Sequence, residues 1–110
     1  MQHEVREEGG AVVVAFSGEI DLEHSPKARE VLLECVGGAS SVFVDLSGVE
    51  YIDSSGVASL VEALQQAKSR GGSLALVSVS ASALRVLELA RLDKVFTIHD
   101  GLTEALGGGT

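Results

Sequence analysis

Apolar positions along this chain recur in two rhythms. Residues 11–16, Ala-Val-Val-Val-Ala-Phe, are continuously apolar, the pattern of a strand covered on both faces. Residues 41–46 and 73–79 read the same way. Residues 3–7 alternate weakly and predict an edge strand, joined to the first strand through Gly9-Gly10. Between these runs the spacing changes to three and four. Ala28, Val31, Leu32, Cys35 and Val36 share one helical face, after Ser25 as N-cap and Pro26 at the first helical position, and Gly37-Gly38 stops the helix. A second helix starts near Ser54 and carries Val57, Leu60, Val61, Leu64 and Ala67 on its apolar stripe. Lys68 and Arg70 complement its C-terminal dipole, and Gly71-Gly72 ends it. A third starts at Ser80, with Ala83, Val86, Leu87 and Ala90 inward. Residues 94–98 predict a last strand and residues 101–106 a short final helix.

The predicted order is β-β-α-β-α-β-α-β-(α). Strands alternating with helices imply an α/β fold with a largely parallel sheet, and the opening hairpin adds an antiparallel pair, so the sheet is mixed. Residues 1–106 are expected to form one domain, and residues 107–110 a flexible Gly-rich tail.

Charge narrows the partners. Sixteen acidic residues face eight basic ones, a formal charge of −8. A nucleic-acid ligand or an anionic membrane surface requires the opposite sign. Aromatics make up 4% of the chain and Trp is absent, so platforms for stacking bases are scarce. No apolar run approaches the roughly 20 residues of a membrane span. The charged N-terminus does not resemble a signal peptide, and the single Cys35 allows no internal disulfide. A cytoplasmic location is expected.

Signatures of catalysis are missing. The chain has no phosphate-binding Gly-x-x-x-x-Gly-Lys-Ser/Thr and no Gly-x-Ser-x-Gly elbow, and His3, His24 and His99 lack metal-ligand spacing. No catalytic residue, metal or cofactor is expected. Cys35 reads as a small buried hydrophobe. One segment stands apart: Asp53-Ser54-Ser55-Gly56, at a strand-to-helix junction. One reading is an N-cap, in which Asp or Ser accepts hydrogen bonds from the first turn. The other is a modifiable hydroxyl, placed where free N–H groups and the helix dipole receive a phosphate. The pattern alone fits both. Gly18-Glu19-Ile20-Asp21 reads as a polar turn or an acidic patch. In a parallel sheet it shares an end with Asp53, so Asp21 comes near Asp53 and Ser54.

These segments together resemble a known family. Gly18-Glu19-Ile20-Asp21, Val42-Phe43-Val44-Asp45-Leu46, Tyr51-Ile52-Asp53-Ser54-Ser55-Gly56-Val57-Ala58, Gly71-Gly72 and Arg91-Leu92-Asp93-Lys94-Val95-Phe96 resemble, in order, the single-domain bacterial anti-sigma factor antagonists of the STAS group. The resemblance implies a mixed sheet with packed helices. It implies a switch that, unphosphorylated, binds an anti-sigma factor serine kinase and so releases a sigma factor. It implies Ser54 as the phosphoacceptor, Asp21, Asp53, Ser55 and Gly56 as partner-binding surroundings, and a serine phosphatase that restores the binding form. An alternative within the same fold is an accessory subunit of a lipid-transport ABC complex or a stressosome-type scaffold component. The intact Asp-Ser-Ser-Gly motif, and the lack of room for an extra N-terminal domain, favour the antagonist.

Overall fold

The computed structural model describes residues 1–107. Its elements are β1 (Gln2–Glu8), β2 (Ala11–Ile20), α1 (Ser25–Gly38), β3 (Ser41–Ile52), α2 (Ser54–Ser69), β4 (Ser73–Val77), α3 (Ala81–Leu89), β5 (Ile98–His99) and α4 (Leu102–Gly107). The five strands lie in the order β1-β2-β3-β4-β5. β1 runs antiparallel to β2, and all other pairs are parallel. Element order and mixed sheet match the sequence reading. Gly9 and Gly10, with φ of 57° and 85°, form the two-residue hairpin turn whose handedness fits the twist of the strands.

Both central strands run further than their apolar cores suggest. β3 does not stop at Leu46 but continues through Ser47-Gly48 to Ile52. The polar pair is a bulge: Ala15 stands opposite Asp45, yet Ser17 stands opposite Gly48. A Cβ on Gly48 would lie 2.9 Å from the Ser17 Cβ, so the two strands approach here without a side chain between them. Gly18, Glu19 and Ile20, expected in a turn, extend β2 past a second shift in register. Both strands are thereby carried to a common end, where Ile20 pairs with Ile52.

The core fills the space between one sheet face and the helices. Val14, Phe16, Val44, Leu46 and Leu76 meet Leu32 of α1, Leu60 of α2 and Leu87 of α3 there. α1 departs from expectation at its start. Ser25 is a buried first-turn residue and not the cap; the cap position is His24. Asp21 serves the helix start instead, its main-chain oxygen accepting from the N–H groups of His24 and Ser25 at 3.1 and 2.8 Å. Cys35 is only partly buried. Burial, then the charge of Glu34, pushes its thiol pKa up.

At the C-terminal end the expected strand over residues 94–98 shrinks to Ile98–His99. Its apolar content serves another purpose: Phe96 is buried in the core from a turn. Ser80 caps α3 as expected, accepting from the Ala83 N–H at 3.1 Å while its own hydroxyl donates to the Val49 carbonyl at 2.7 Å. Ala90, expected inward, lies exposed just beyond the helix. β4 ends at Val77, before Ser78 turns to a φ of 51°. Gly107 closes α4; residues 108–110 of the expected tail lie outside the described residues.

Candidate functional site at the start of α2

The common end of β2 and β3 leads directly into α2. The Asp53 N–H donates to the Ile20 carbonyl at 3.3 Å, which ties the start of the helix to the neighbouring strand. Asp53 keeps extended backbone (φ −109°, ψ −172°), and its carboxylate caps the helix. One oxygen accepts from the Ser55 N–H at 3.0 Å, the Gly56 N–H at 3.3 Å and the Ser55 hydroxyl at 2.5 Å. The Ser55 hydroxyl bond, helped by the two backbone bonds, holds the Asp53 carboxyl below the ordinary carboxylate range against burial and the nearby negative charge of Asp21.

Gly56 is required by space. A Cβ there would sit 2.7 Å from the Ile20 carbonyl oxygen and 2.7 Å from the Ile52 Cγ1. The first turn of α2 therefore rests directly on the ends of β2 and β3. Ser59, one turn on, is buried and donates to the Ser25 carbonyl at 3.3 Å and the Ser55 carbonyl at 3.1 Å. Arg29 of α1 forms a two-pronged ion pair with Glu62 of α2 beside it.

The two adjacent serines differ sharply. Ser55 is half-buried and its hydroxyl is committed to Asp53. Ser54 is exposed, and its hydroxyl has no partner among the described residues. Ser54 also stands at one end of an open groove of about 810 Å³ between α2 and α3, lined by Val57, Val61, Val86, Leu89 and Leu92. Leu89 is 79% exposed there, so the groove presents apolar surface to solvent.

Asp21 lies across from this helix start. Its carboxylate accepts from the His24 N–H at 3.1 Å and pairs with the His24 Nδ1 at 2.7 Å. Burial pushes its pKa up, but the His24 ring, the backbone bond and the His24 charge outweigh this and hold it below the ordinary value. The structure thus brings Asp21, Asp53, Ser54, Ser55 and Gly56 to one end of the sheet. No group of three or more His, Cys, Asp or Glu residues suited to a metal occurs among the described residues. Two parts of the site are absent from the sequence reading. His24 enters the sequence reading only as one of three histidines without metal-ligand spacing, although its spacing of three from Asp21 carries the signal. The groove residue Leu89 falls off the inward stripe of Ala83 and Leu87, a mismatch visible in the sequence.

Residues 2–105 match the STAS domain family. The chain belongs to that family. This STAS domain is 30% identical over 105 residues to a candidate anti-anti-sigma factor of Mycobacterium tuberculosis, a match covering 93% of this chain and 71% of the relative. A crystal structure of an anti-sigma factor antagonist from Mycobacterium paratuberculosis superposes with a TM-score of 0.88 at 27% identity, covering 97% of this chain and 92% of that one. The Bacillus cell fate determinant SpoIIAA in its phosphorylated form superposes with a TM-score of 0.75, covering 99% of this chain and 100% of that one; at 17% identity the likeness is one of fold. No described helix of this STAS domain is long and apolar enough to cross a membrane.

Proposed function

We propose that this STAS domain is an anti-sigma factor antagonist whose switch is Ser54. With Ser54 unmodified, it binds an anti-sigma factor that is also a serine kinase, and a sigma factor is released. The Ser54 Oγ then attacks the γ-phosphorus of ATP held by the kinase. Its proton passes to a base on the kinase, ADP departs, and the complex separates. A serine phosphatase hydrolyses the phosphoserine and restores the binding form. The domain supplies no catalytic residue in this cycle, which runs in the cytoplasm.

The observation that carries this reading is the unequal state of the two serines. Consecutive helical residues point about 100° apart, so a kinase cleft engages one of them at a time. Ser55 spends its hydroxyl on Asp53, whereas Ser54 offers a free one beside an exposed apolar groove. The names of the relatives support an anti-sigma factor as the partner class.

The physics of release follows from charge. Phosphorylation adds about −1.5 to −2 charges to a surface that already carries Asp21 and Asp53. A partner pressed onto the groove and a neutral hydroxyl would then have to desolvate a dianion, which weakens binding. The N–H groups of Ser55 and Gly56 are already taken by Asp53, so it is the positive end of the α2 dipole that tolerates the phosphate locally, and the domain itself need not refold.

Affinity capture with the tagged chain from a lysate of the encoding bacterium tests the reading. Wild type and Ser54→Ala should both recover a histidine-kinase-like ATPase, and Ser54→Asp should recover less of it. Recovery of an ABC-transporter ATPase instead would contradict the antagonist and favour an accessory transport subunit.

A further inference from the structure

Among the described residues the sheet has one long free edge. β5 offers two residues on one side, and β1 offers seven on the other. The hairpin turn decides which backbone groups of β1 face outward. Gly9-Gly10 is a two-residue turn, so Glu8 and Ala11 close it as a hydrogen-bonded pair. Counting back in steps of two, Arg6, Glu4 and Gln2 turn their N–H and C=O groups toward β2. His3, Val5 and Glu7 therefore turn theirs outward. Val5, at the centre of this row, is 48% exposed.

We propose that this edge receives a second copy of the same chain, running antiparallel, with the twofold axis through Val5. In this register every outward backbone group finds a partner: Val5 meets Val5, and His3 meets Glu7 in both directions. On the opposite face of the sheet Glu4 meets Arg6, again in both directions. Charge selects this register. A slip of two residues one way sets Glu4 against Glu4. A slip of two the other way sets Arg6 against Arg6 and Glu4 against Glu8. A slip of one residue brings outward backbone groups against inward ones. Charged edge strands commonly repel one another and so resist pairing. Here the order His3-Glu4-Val5-Arg6-Glu7 is complementary to its own reverse.

The result is a closed, isologous dimer with one continuous ten-stranded sheet. Its interface also borders the shallow cavity of about 350 Å³ between β1 and α1, where Val5 and Cys35 are incompletely covered. Ser54 lies at the β3–α2 junction, two strands from the edge, so both copies keep it accessible. The proposal is independent of the partner-switching reading.

Sedimentation equilibrium of the full chain over a range of concentrations tests it. The mass should rise from the 11.4 kDa monomer toward twice that value. Arg6→Glu, or Glu4→Arg alone, should weaken association roughly tenfold, since each sets like charges opposite one another twice. The double variant Glu4→Arg/Arg6→Glu should recover it. Val5→Pro removes the two central hydrogen bonds but no β1–β2 bond, so it should abolish the dimer with little change in the melting curve. If Val5→Pro melts early, the charge series alone decides. A chain that stays monomeric at every concentration, a dimer indifferent to both single reversals, or a double variant no stronger than the singles overturns the proposal.

Discussion

Asp53 and Gly56 decide whether Ser54 is presented at all. Asp53 holds the first turn of α2 through three bonds to one oxygen and in doing so removes Ser55 from competition. Two consequences are measurable. Ser55→Ala deletes the main support of the ionised Asp53 carboxylate, so NMR titration should show its pKa returning toward the ordinary range; Ser54→Ala should leave it unchanged. The pH dependence has a definite sign. A lowered folded-state pKa contributes stability that is complete above the unfolded value and lost as pH falls through the folded one. The advantage of wild type over Asp53→Asn in denaturation midpoint should therefore hold at neutral pH and shrink below about pH 4. Gly56 acts by omission. Gly56→Ala forces a methyl group into the Ile20 carbonyl and Ile52, at an expected cost of about 1–3 kcal/mol. A denaturation midpoint equal to wild type would show that the helix start moves freely, contrary to its seating on the strands.

At the level of elements, α2 has two faces with different work. Leu60, 1% exposed, belongs to the core, and Leu60→Ala should cost about 2–5 kcal/mol in urea denaturation. Leu89 of the facing α3 is exposed in the groove, so Leu89→Ala should leave the midpoint within about 0.5 kcal/mol of wild type and weaken partner capture. A Leu89→Ala variant that captures its partner as well as wild type would remove the groove from the binding surface. Element by element, the sequence was most readable where apolar spacing was long and regular, as in α2 and the cores of β2 and β3. It misled where a polar pair did structural work inside a strand. Ser47-Gly48 has the composition of a turn, and only the register with β2 shows that it is a bulge. Residues 94–98 misled in the opposite direction: Phe96 reads as part of a strand because it is apolar, but it is apolar because it plugs the core from a turn.

Across the whole molecule, β2 and the twice-bulged β3 end together, and that end is the floor on which α2 begins. The Asp-Ser-Ser-Gly motif was legible from its residues and from its family resemblance. Its asymmetry was not, because nothing in the order of two serines says which hydroxyl the cap will occupy. The groove between α2 and α3 was likewise hidden, since it depends on two elements meeting in space, whereas the pairing of Asp21 with His24 is local and its spacing of three was there to be read. Because Ser54 projects from a seated helix, its phosphorylation should leave the far-ultraviolet circular dichroism unchanged, with amide shifts confined to the ends of β2, β3 and the start of α2. A global change in the amide spectrum would mean that the switch works by refolding. The most direct measurement is phosphopeptide mapping after incubation with the cognate kinase, ATP and Mg²⁺. Phosphate should appear on Ser54 alone, remain possible in Ser55→Ala, and vanish in Ser54→Ala. Phosphate on Ser55, or an unmodified chain in the presence of a demonstrably active kinase, would contradict the account.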